Sequence, residues 1–553
     1  MKKIVSLTLV FLLYIVTTPQ ILVSGEPEID NPNQDWITFQ GDFQNTGLVC
    51  ENSLPYTKEP QILWTKEIRA GIEGRRFTTS PVVANGKVFI GGFDEMAHKT
   101  FESFFFCLDA ETGEEIWRVK LDEPVERDPE KKPKNENEDG PDRWFLQNID
   151  STPIIFGDSI LVVTVSGCVY RISQENGDFV WENKISLSSL KEGKSVVSEK
   201  SYLRNHSSAV ISQGYLFIPM YYQYVELCKD GDCNDKMVEV DKANVLLFKL
   251  NLTTGDIKKQ YVACKAYSVN NHNKCRIEIA PFEEGMRSNL ACINEKILLV
   301  AVARMYCIDS EKMEVVWDAV VSSRYPYRSS PAIYGNKIYF GNHDRDFYGL
   351  DLASGNHIFI SPLKQSVRCI TTPVISEDFA FFPSINKDFI CYDLSEKEIA
   401  WRKDFKDVTK CPAIVADTKV LVVGDGRLYC LKRTNGQEVW SVEIGSASLG
   451  MAVVNGKIYI GTLEGKMHCI GERFDSISLE SPSKKLKIGE RIKLTATGTY
   501  QKDESKSHFR IKSVEPNKLC VNGDYITGAG IGFVKVTAQN GTALSTIELE
   551  LTR

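Results

Sequence analysis

The 553-residue chain is 42% hydrophobic, 25% charged and 10% aromatic, with a net charge of −7 and 38 Gly, 21 Pro, 15 Cys and 7 His. This globular composition excludes a disordered, collagen-like or membrane-dominated protein, and fits about two to four domains or one large repeat fold. The acidic balance gives no basis for nucleic-acid binding, which needs a basic surface to displace counterions.

Lys2 and Lys3 precede an uncharged stretch from Ile4 to Val16, and the small residues Val23, Ser24 and Gly25 lead to the first acid, Glu26. That order reads as a secretory signal peptide over residues 1–25. Its apolar run is shorter than the ~20 residues that span a bilayer comfortably. Removing it, with two lysines and no acid, takes the net charge from −7 to −9. The expected location is therefore exported: periplasmic, cell-surface or secreted.

Residues 26–60 form a lead-in, and residues 61–471 repeat. One signature recurs as FCLDAETGEEIW (Phe106 to Trp117), YRISQENGDFVW (Tyr170 to Trp181), FKLNLTTGDIKK (Phe248 to Lys259) and YCIDSEKMEVVW (Tyr306 to Trp317). It continues as YGLDLASGNHIF (Tyr348 to Phe359), ICYDLSEKEIAW (Ile390 to Trp401), YCLKRTNGQEVW (Tyr429 to Trp440) and the truncated HCIG (His468 to Gly471). Each copy follows a short apolar strand, a tight Gly/Asn/Asp turn and a second strand, as in TTSPVVANGKVFIGG ending at Gly92. Four short antiparallel strands at a period of about 40 residues predict a propeller blade. The eighth unit lacks its Trp strand, whereas QILWTKEI (Gln61 to Ile68) is a Trp strand with no blade before it. Eight blades are expected, the last closed by residues 61–68, which hides two exposed edges. Trp64, Trp117, Trp181, Trp317, Trp401 and Trp440 are expected to be blade-packing residues.

These repeats resemble the pyrroloquinoline quinone (PQQ) repeat family. WITFQGDFQNTG (Trp36, Phe39, Gly41, Asp42, Asn45, Thr46, Gly47) is similar to the lead-in of its secreted members. Residues 474–553 alternate apolar and polar residues between turns, and IGERIKLTATG, YITGAGIG and VKVTA resemble a bacterial group 2 immunoglobulin-like domain. The expected fold class is all-β, an eight-bladed β-propeller followed by a small immunoglobulin-like β-sandwich. The propeller family contains quinoprotein dehydrogenases as well as the non-enzymatic scaffold of the bacterial outer-membrane-protein assembly machine, so fold does not settle function.

The resemblance implies that a quinoprotein would hold PQQ between a Trp floor and a disulfide of adjacent cysteines, beside Ca²⁺. This chain has no Cys-Cys dipeptide and no CxxCH haem motif. Cys107, Cys307, Cys391, Cys430 and Cys469 share one repeat position and are expected to be buried unpaired thiols. Cys228 with Cys233, and Cys264 with Cys275, are candidate local disulfides. Asp230, Asp232 and Asn234 have the spacing of a calcium loop, but Asp235 replaces the turn glycine, which leaves a weak metal candidate. No cofactor is expected. Trp144 and Phe145, flanking the polar insertion 121–147, and Tyr221, Tyr222 and Tyr224 are candidate partner-binding aromatics; for the tyrosines the plainer reading is that they extend blade strands, where alternating aromatics are ordinary content. Asn205, Asn251 and Asn540 lie in N-x-S/T sequons. The expected protein is a monomeric, non-catalytic scaffold at the cell envelope, binding envelope or extracellular proteins, a membrane β-barrel among them. Its alternatives are a PQQ-dependent dehydrogenase and a carbohydrate- or surface-binding adhesin.

Overall fold

The computed structural model describes residues 35–49, 54–55, 60–67, 76–96, 100–121, 149–185, 202–229, 237–267, 288–301, 304–321, 329–342, 345–363, 367, 369, 371–384, 386–407, 411–474, 476–500, 503–505, 510–513, 518–522, 525–540 and 543–553. Apart from one short 3-10 turn at Phe39–Gly41, every regular element among them is a strand or an isolated bridge. Eight antiparallel sheets of four or five strands follow one another along the chain, and we number them as blades 1 to 8. Blade 2 shows the plan: Ile154–Phe156, Ser159–Val163, Cys168–Ser173 and Phe179–Lys184, from inner to outer strand. Inner strands are almost wholly buried, as in Val82–Ala84, whereas outer strands alternate, as in Glu115–Lys120. That gradient is what a ring of radially arranged sheets requires.

Apolar clusters bind each blade to the next. Ile160 and Val162 of blade 2 pack with Phe89 and Phe105 of blade 1, and Leu161 and Val163 with Leu216 and Ile218 of blade 3. The same holds onward between blades 3 and 4, 4 and 5, 5 and 6, and 6 and 7. A last cluster joins blades 7, 8 and 1 through Leu421, Ile458 and Val88, which makes the succession circular. Near the axis the inner strands also hydrogen-bond sideways. Thr152 N donates to Ser208 Oγ (3.0 Å), Ser208 N to Asn289 Oδ1 (2.7 Å) and Asn289 N to Ser330 Oγ (2.9 Å).

One contact recurs at the rim. At five of the eight seams an outer-strand indole enters the turn before the next blade's outer strand and donates its N–H to a carbonyl there. Trp64 bonds Ala110 O (3.1 Å), Trp117 Gln174 O (3.2 Å), Trp181 Leu252 O (3.0 Å), Trp317 Leu352 O (3.2 Å) and Trp401 Arg433 O (2.8 Å). Each ring lies over the turn glycine, Gly113, Gly177, Gly255, Gly355 or Gly436, where a Cβ would come within 2.4 to 2.9 Å of the indole. Every outer strand carries a register shift one residue before this aromatic position, so Ile116, Val180, Val316 and their equivalents are bulged. The bulge turns the aromatic side chain toward the neighbouring blade and interrupts an edge that would otherwise template pairing.

Two seams lack the indole, and their turns differ accordingly. Blade 3 has Lys259 in the Trp position, and the facing turn of blade 4 has Met313 at φ 56° in place of glycine. There Lys249 Nζ donates to Ser310 O (2.8 Å), the carbonyl equivalent to Ala110 O. Blade 5 has Phe359, and the turn of blade 6 has Lys397 at φ 58°, its ammonium 6.0 Å from the Phe359 ring centroid.

The ring closes between blades 8 and 1. Gln61–Glu67 pairs antiparallel with Lys466–Gly471, completing blade 8 from the other end of the propeller sequence. Lys457 Nζ of blade 8 meets Glu111 Oε2 of blade 1 at 2.5 Å, with both side chains at most 5% exposed. Tyr459 donates its hydroxyl to Ala110 O (3.2 Å) at the same seam. His468 faces the closing strand, with Nδ1 2.9 Å from Thr65 Oγ1 and Nε2 buried without a side-chain hydrogen-bond partner among the described residues. Burial pushes its pKa below the usual histidine value; a backbone hydrogen bond with Ile444 opposes this, as do Glu464 and Glu67, while Lys466 adds to it.

Beyond Phe474 the strands assemble around a separate core that includes Leu486, Leu494, Ile526, Val534, Val536 and Leu549. Lys485–Lys487 runs parallel to Glu550–Thr552, while the other strand pairs of this region are antiparallel.

Two measurements test these contacts. Gly113→Ala places a Cβ in left-handed backbone against Trp64 and should cost about 3 kcal/mol in chemical denaturation, whereas Lys397→Gly, facing Phe359, should change stability by less than about 1 kcal/mol. His468 takes up a proton on unfolding at mildly acidic pH because its folded pKa is lowered. Stability from this group is therefore complete above the unfolded value, about 6.5, and declines as pH falls through it toward the lower folded value. The difference in unfolding free energy between the parent and His468→Phe, measured across that range, should show this slope; a pH-independent difference would exclude it.

Candidate functional site

The two faces of the ring are built differently, and strand parity decides which is which. In a four-stranded antiparallel blade the first and third connections leave at one end, and the second connection and the link to the next blade leave at the other. On the first face every described connection is short: two-residue turns such as Asn85-Gly86 and Asn455-Gly456, and the indole-docking turns. All the longer connections leave the second face. They join Lys120 to Ile154, Lys184 to Tyr202, Lys229 to Met237 and Tyr267 to Ala291. The second and third strands also lengthen toward this face, to ten residues each in blade 1 (Lys87–Met96, Thr100–Asp109) and fifteen each in blade 3 (Tyr215–Lys229, Met237–Asn251), against five or six in blade 2.

The lead-in closes the axis near the short-turn face. Trp36 and Val83 exchange backbone hydrogen bonds of 2.9 Å each. Ile155 N donates to Ile37 O, Cys292 N to Phe43 O, Ile333 N to Gln44 O and Val415 N to Gly47 O, so the segment is tied to blades 1, 2, 4, 5 and 7. Asn45 Nδ2 bonds both Leu290 O (3.1 Å) and Pro331 O (2.9 Å), and Gln40 Nε2 bonds Ala413 O (3.3 Å). Asp42 holds the intervening turn, accepting from Gln44 N (2.8 Å), Thr46 N (3.1 Å) and the Thr46 hydroxyl. These bonds satisfy backbone groups that the innermost strands would otherwise leave unpaired at the axis.

At the axial end of the opposite face, Asp150 Oδ2 and His206 Nδ1 are 2.8 Å apart, with side chains 14% and 8% exposed. They precede the inner strands of blades 2 and 3 by the same four residues. Thr78 occupies the equivalent place in blade 1 and donates to Ile149 O (2.8 Å). No motif marks this pair; its only sequence signal is the shared position in consecutive repeats. The geometry pins two blades together and fixes an imidazole beside a carboxylate. No cluster of three metal-ligating side chains occurs among the described residues.

Tyr221 lies on Tyr215–Lys229, is 5% exposed and packs with Val210, Phe217 and Val245, so it belongs to the core and not to an exposed loop. Tyr222 and Tyr224 continue the same strand, paired with Asn244 and Lys242. Cys228 pairs in register with Val238, and Cys264 with Val245. Cys233, Cys275, Trp144, Phe145, Asp230, Asp232 and Asn234 lie outside the described residues. Trp440 is 5% exposed, but blade 8 offers it no docking turn, and its indole N–H is buried without an acceptor among the described residues. Asn205 is 1% exposed and accepts from Ser207 N, which closes that sequon in the folded chain.

Cys107, Cys307, Cys391 and Cys469 are buried free thiols, and Cys430 is buried at the same repeat position. Each stands directly across the strand pair from an indole: Trp117, Trp317, Trp401, Trp440 and Trp64 respectively. In blade 5 the residue is Gly349, where a Cβ would lie 2.3 Å from Phe359. In these blades a small residue leaves room for the aromatic that crosses over it, whereas blade 2 places Arg171 opposite Trp181.

Comparison with known proteins now assigns the repeats. The family model described as outer membrane protein assembly factor BamB matches residues 58–213 and 280–442, more than half of the chain. The chain belongs to this family. A curated relative, outer membrane protein assembly factor BamB of Kangiella koreensis, is 29% identical over 110 residues, 20% of this chain and 28% of the relative. The matched stretch thus spans little more than a quarter of that protein's length. Among solved structures, a europium-containing methanol dehydrogenase aligns with a TM-score of 0.55 and 9% identity, over 80% of this chain and 99% of its own. The quinohemoprotein alcohol dehydrogenase of Comamonas testosteroni aligns with a TM-score of 0.53 and 12% identity, over 80% of this chain and 82% of its own. At such identities the likeness shows the propeller fold alone.

Burial pushes the Cys107, Cys391 and Cys469 thiols up to about 12 and Cys307 up to about 11. A thiol at about 12 is ionised in roughly one molecule in ten thousand at pH 8. Alkylation mapped by mass spectrometry should leave these four unmodified in the native chain and modify all four after denaturation.

Proposed function

We propose that the chain is an exported, non-catalytic propeller that works as a protein-binding or assembly scaffold at the cell envelope, with a C-terminal immunoglobulin-like module. The asymmetry of the two faces carries this reading. One face is stitched by the lead-in and short turns, and the other receives every long connection and both lengthened hairpins. A rigid ring that concentrates variable segments on one side suits the docking of a partner without chemistry. The family supports a role in assembly, with an envelope protein such as a membrane β-barrel as the partner.

Tryptophan use supports the non-catalytic part. Seven of the eight tryptophans lie within the described residues. Trp36 sits in the buried lead-in, and Trp64, Trp117, Trp181, Trp317, Trp401 and Trp440 all lie in the packing between blades or in the core. None of these is left over as a floor for a flat cofactor.

Affinity capture from an envelope extract tests the reading. The parent chain should recover a membrane β-barrel, and replacing residues 122–148 with a short Gly-Ser linker should reduce recovery while leaving thermal unfolding unchanged. Failure to recover any envelope protein would overturn the scaffold role. Retention of quinone absorbance after gel filtration with PQQ and Ca²⁺ would overturn the non-catalytic one.

A further inference from the structure

We propose that the far tip of the C-terminal domain is a docking surface for an anionic lipid bilayer. Three adjacent strands end together there. Lys487 pairs with Thr552, Ile488 N donates to Thr552 O (3.0 Å), and Gly532 pairs with Leu551, which sets Ile488 and Ile531 on either side of Thr552. At the ~4.8 Å spacing of neighbouring strands the two isoleucines are about 10 Å apart. Ile488 is 48% exposed, Ile531 50% and Phe533 62%, the highest value for a large apolar side chain among the described residues.

Cations frame this apolar trio. Lys487 is exposed, and Lys518 Nζ comes within 3.8 Å of where a Gly532 Cβ would sit. Arg491 lies beyond the turn, its guanidinium 4.2 Å from the Tyr525 ring centroid. Of the acids nearby, Glu550 is paired with Lys485 (2.9 Å), and Glu490 accepts from Lys487 N (2.8 Å). Charge along the chain points the same way. Residues 474–553 carry 12 Lys and Arg against 9 Asp and Glu, whereas the preceding 473 residues carry 54 against 64. The basic module can therefore approach an anionic surface while the acidic ring is held off. Shallow insertion of apolar side chains ringed by lysines is the chemistry of interfacial anchoring.

The tip also lies away from the propeller link. Leu479 N bonds Ser545 Oγ (3.1 Å) and Lys485 pairs with Glu550, so the chain entering from Phe474 runs alongside Ala543–Thr552 toward Thr552. Ser545 and Thr552 are seven residues apart on one strand, about 24 Å.

Sedimentation of the full chain with phosphatidylcholine vesicles, with and without about 30% phosphatidylglycerol, tests the proposal. Binding should require the anionic lipid and weaken several-fold when salt is raised from about 0.1 M to about 0.5 M. Ile531→Ser with Phe533→Ser should lower binding at least about tenfold. Lys487→Glu with Lys518→Glu should lower it by at least about fivefold per lysine, with unfolding unchanged in both pairs. The proposal falls if the parent chain does not sediment with anionic vesicles, binds neutral vesicles equally, or if the folded variants bind as the parent does. It falls also if the substitutions abolish capture of an envelope protein while vesicle binding stays at background, which would make the tip a protein-docking surface.

Discussion

An indole leaving the outer edge of one blade and lying across a turn of the next ties together features that look independent along the chain. The bulge before the tryptophan aims the ring, and a cysteine or glycine across the strand pair leaves room for it in most blades. A glycine in the receiving turn avoids a Cβ within 3 Å of the ring, and a carbonyl in that turn takes the N–H. The requirement is visible because the chain contains its own exceptions. Where Lys259 or Phe359 replaces the indole, the receiving position becomes Met313 or Lys397, both still at positive φ. The left-handed backbone therefore belongs to the turn itself, while the exclusion of a side chain belongs to the neighbour's indole. The same contact serves the closing seam and the array, since Trp64 meets Gly113 as Trp401 meets Gly436.

Pairwise docking produces an arc, and closure needs further interactions. At the blade 8 to blade 1 seam the repeat's Lys is matched by a buried carboxylate, Glu111, whereas the equivalent Lys87 is content with a backbone carbonyl, Gln174 O. Burying an ion pair gives little net stability over apolar packing, but losing one partner leaves a costly unpaired charge, so such a pair favours the correct seam over alternatives. The lead-in adds a second restraint by bonding to inner strands of blades far apart in sequence, from Val83 to Val415. Rim contacts join neighbours; the lead-in joins blades across the axis.

The blades were legible because each repeats one spacing of aromatics, glycines and short apolar runs, and the fold class followed from that period. The shared cysteine position was also legible as small and buried, but its cause was not: the facing tryptophan lies ten residues onward, or for Cys469 at the other end of the propeller sequence, across a bulge whose register sequence does not display. Asp150 and His206 were illegible for a related reason. Fifty-six residues separate them, and only the superposition of two repeats makes them neighbours. Tyr221 was ambiguous because an aromatic on a long strand carries the same local pattern whether it faces a core or solvent; packing against Phe217 and Val245 decides it.

Which side of the ring carries the insertions follows from parity. Insertions are visible in sequence as departures from the 40-residue period, yet their common side depends on whether each follows an odd or an even strand. Those in this chain follow the second or the fourth, so they converge on one face. The turns after the first and third strands cannot lengthen as freely, because the first lies against the lead-in end of the inner strands and the third must present its glycine and carbonyl to an indole. Rigidity on one face is thus a condition of assembling the ring, and variability is confined to the other by the same contacts.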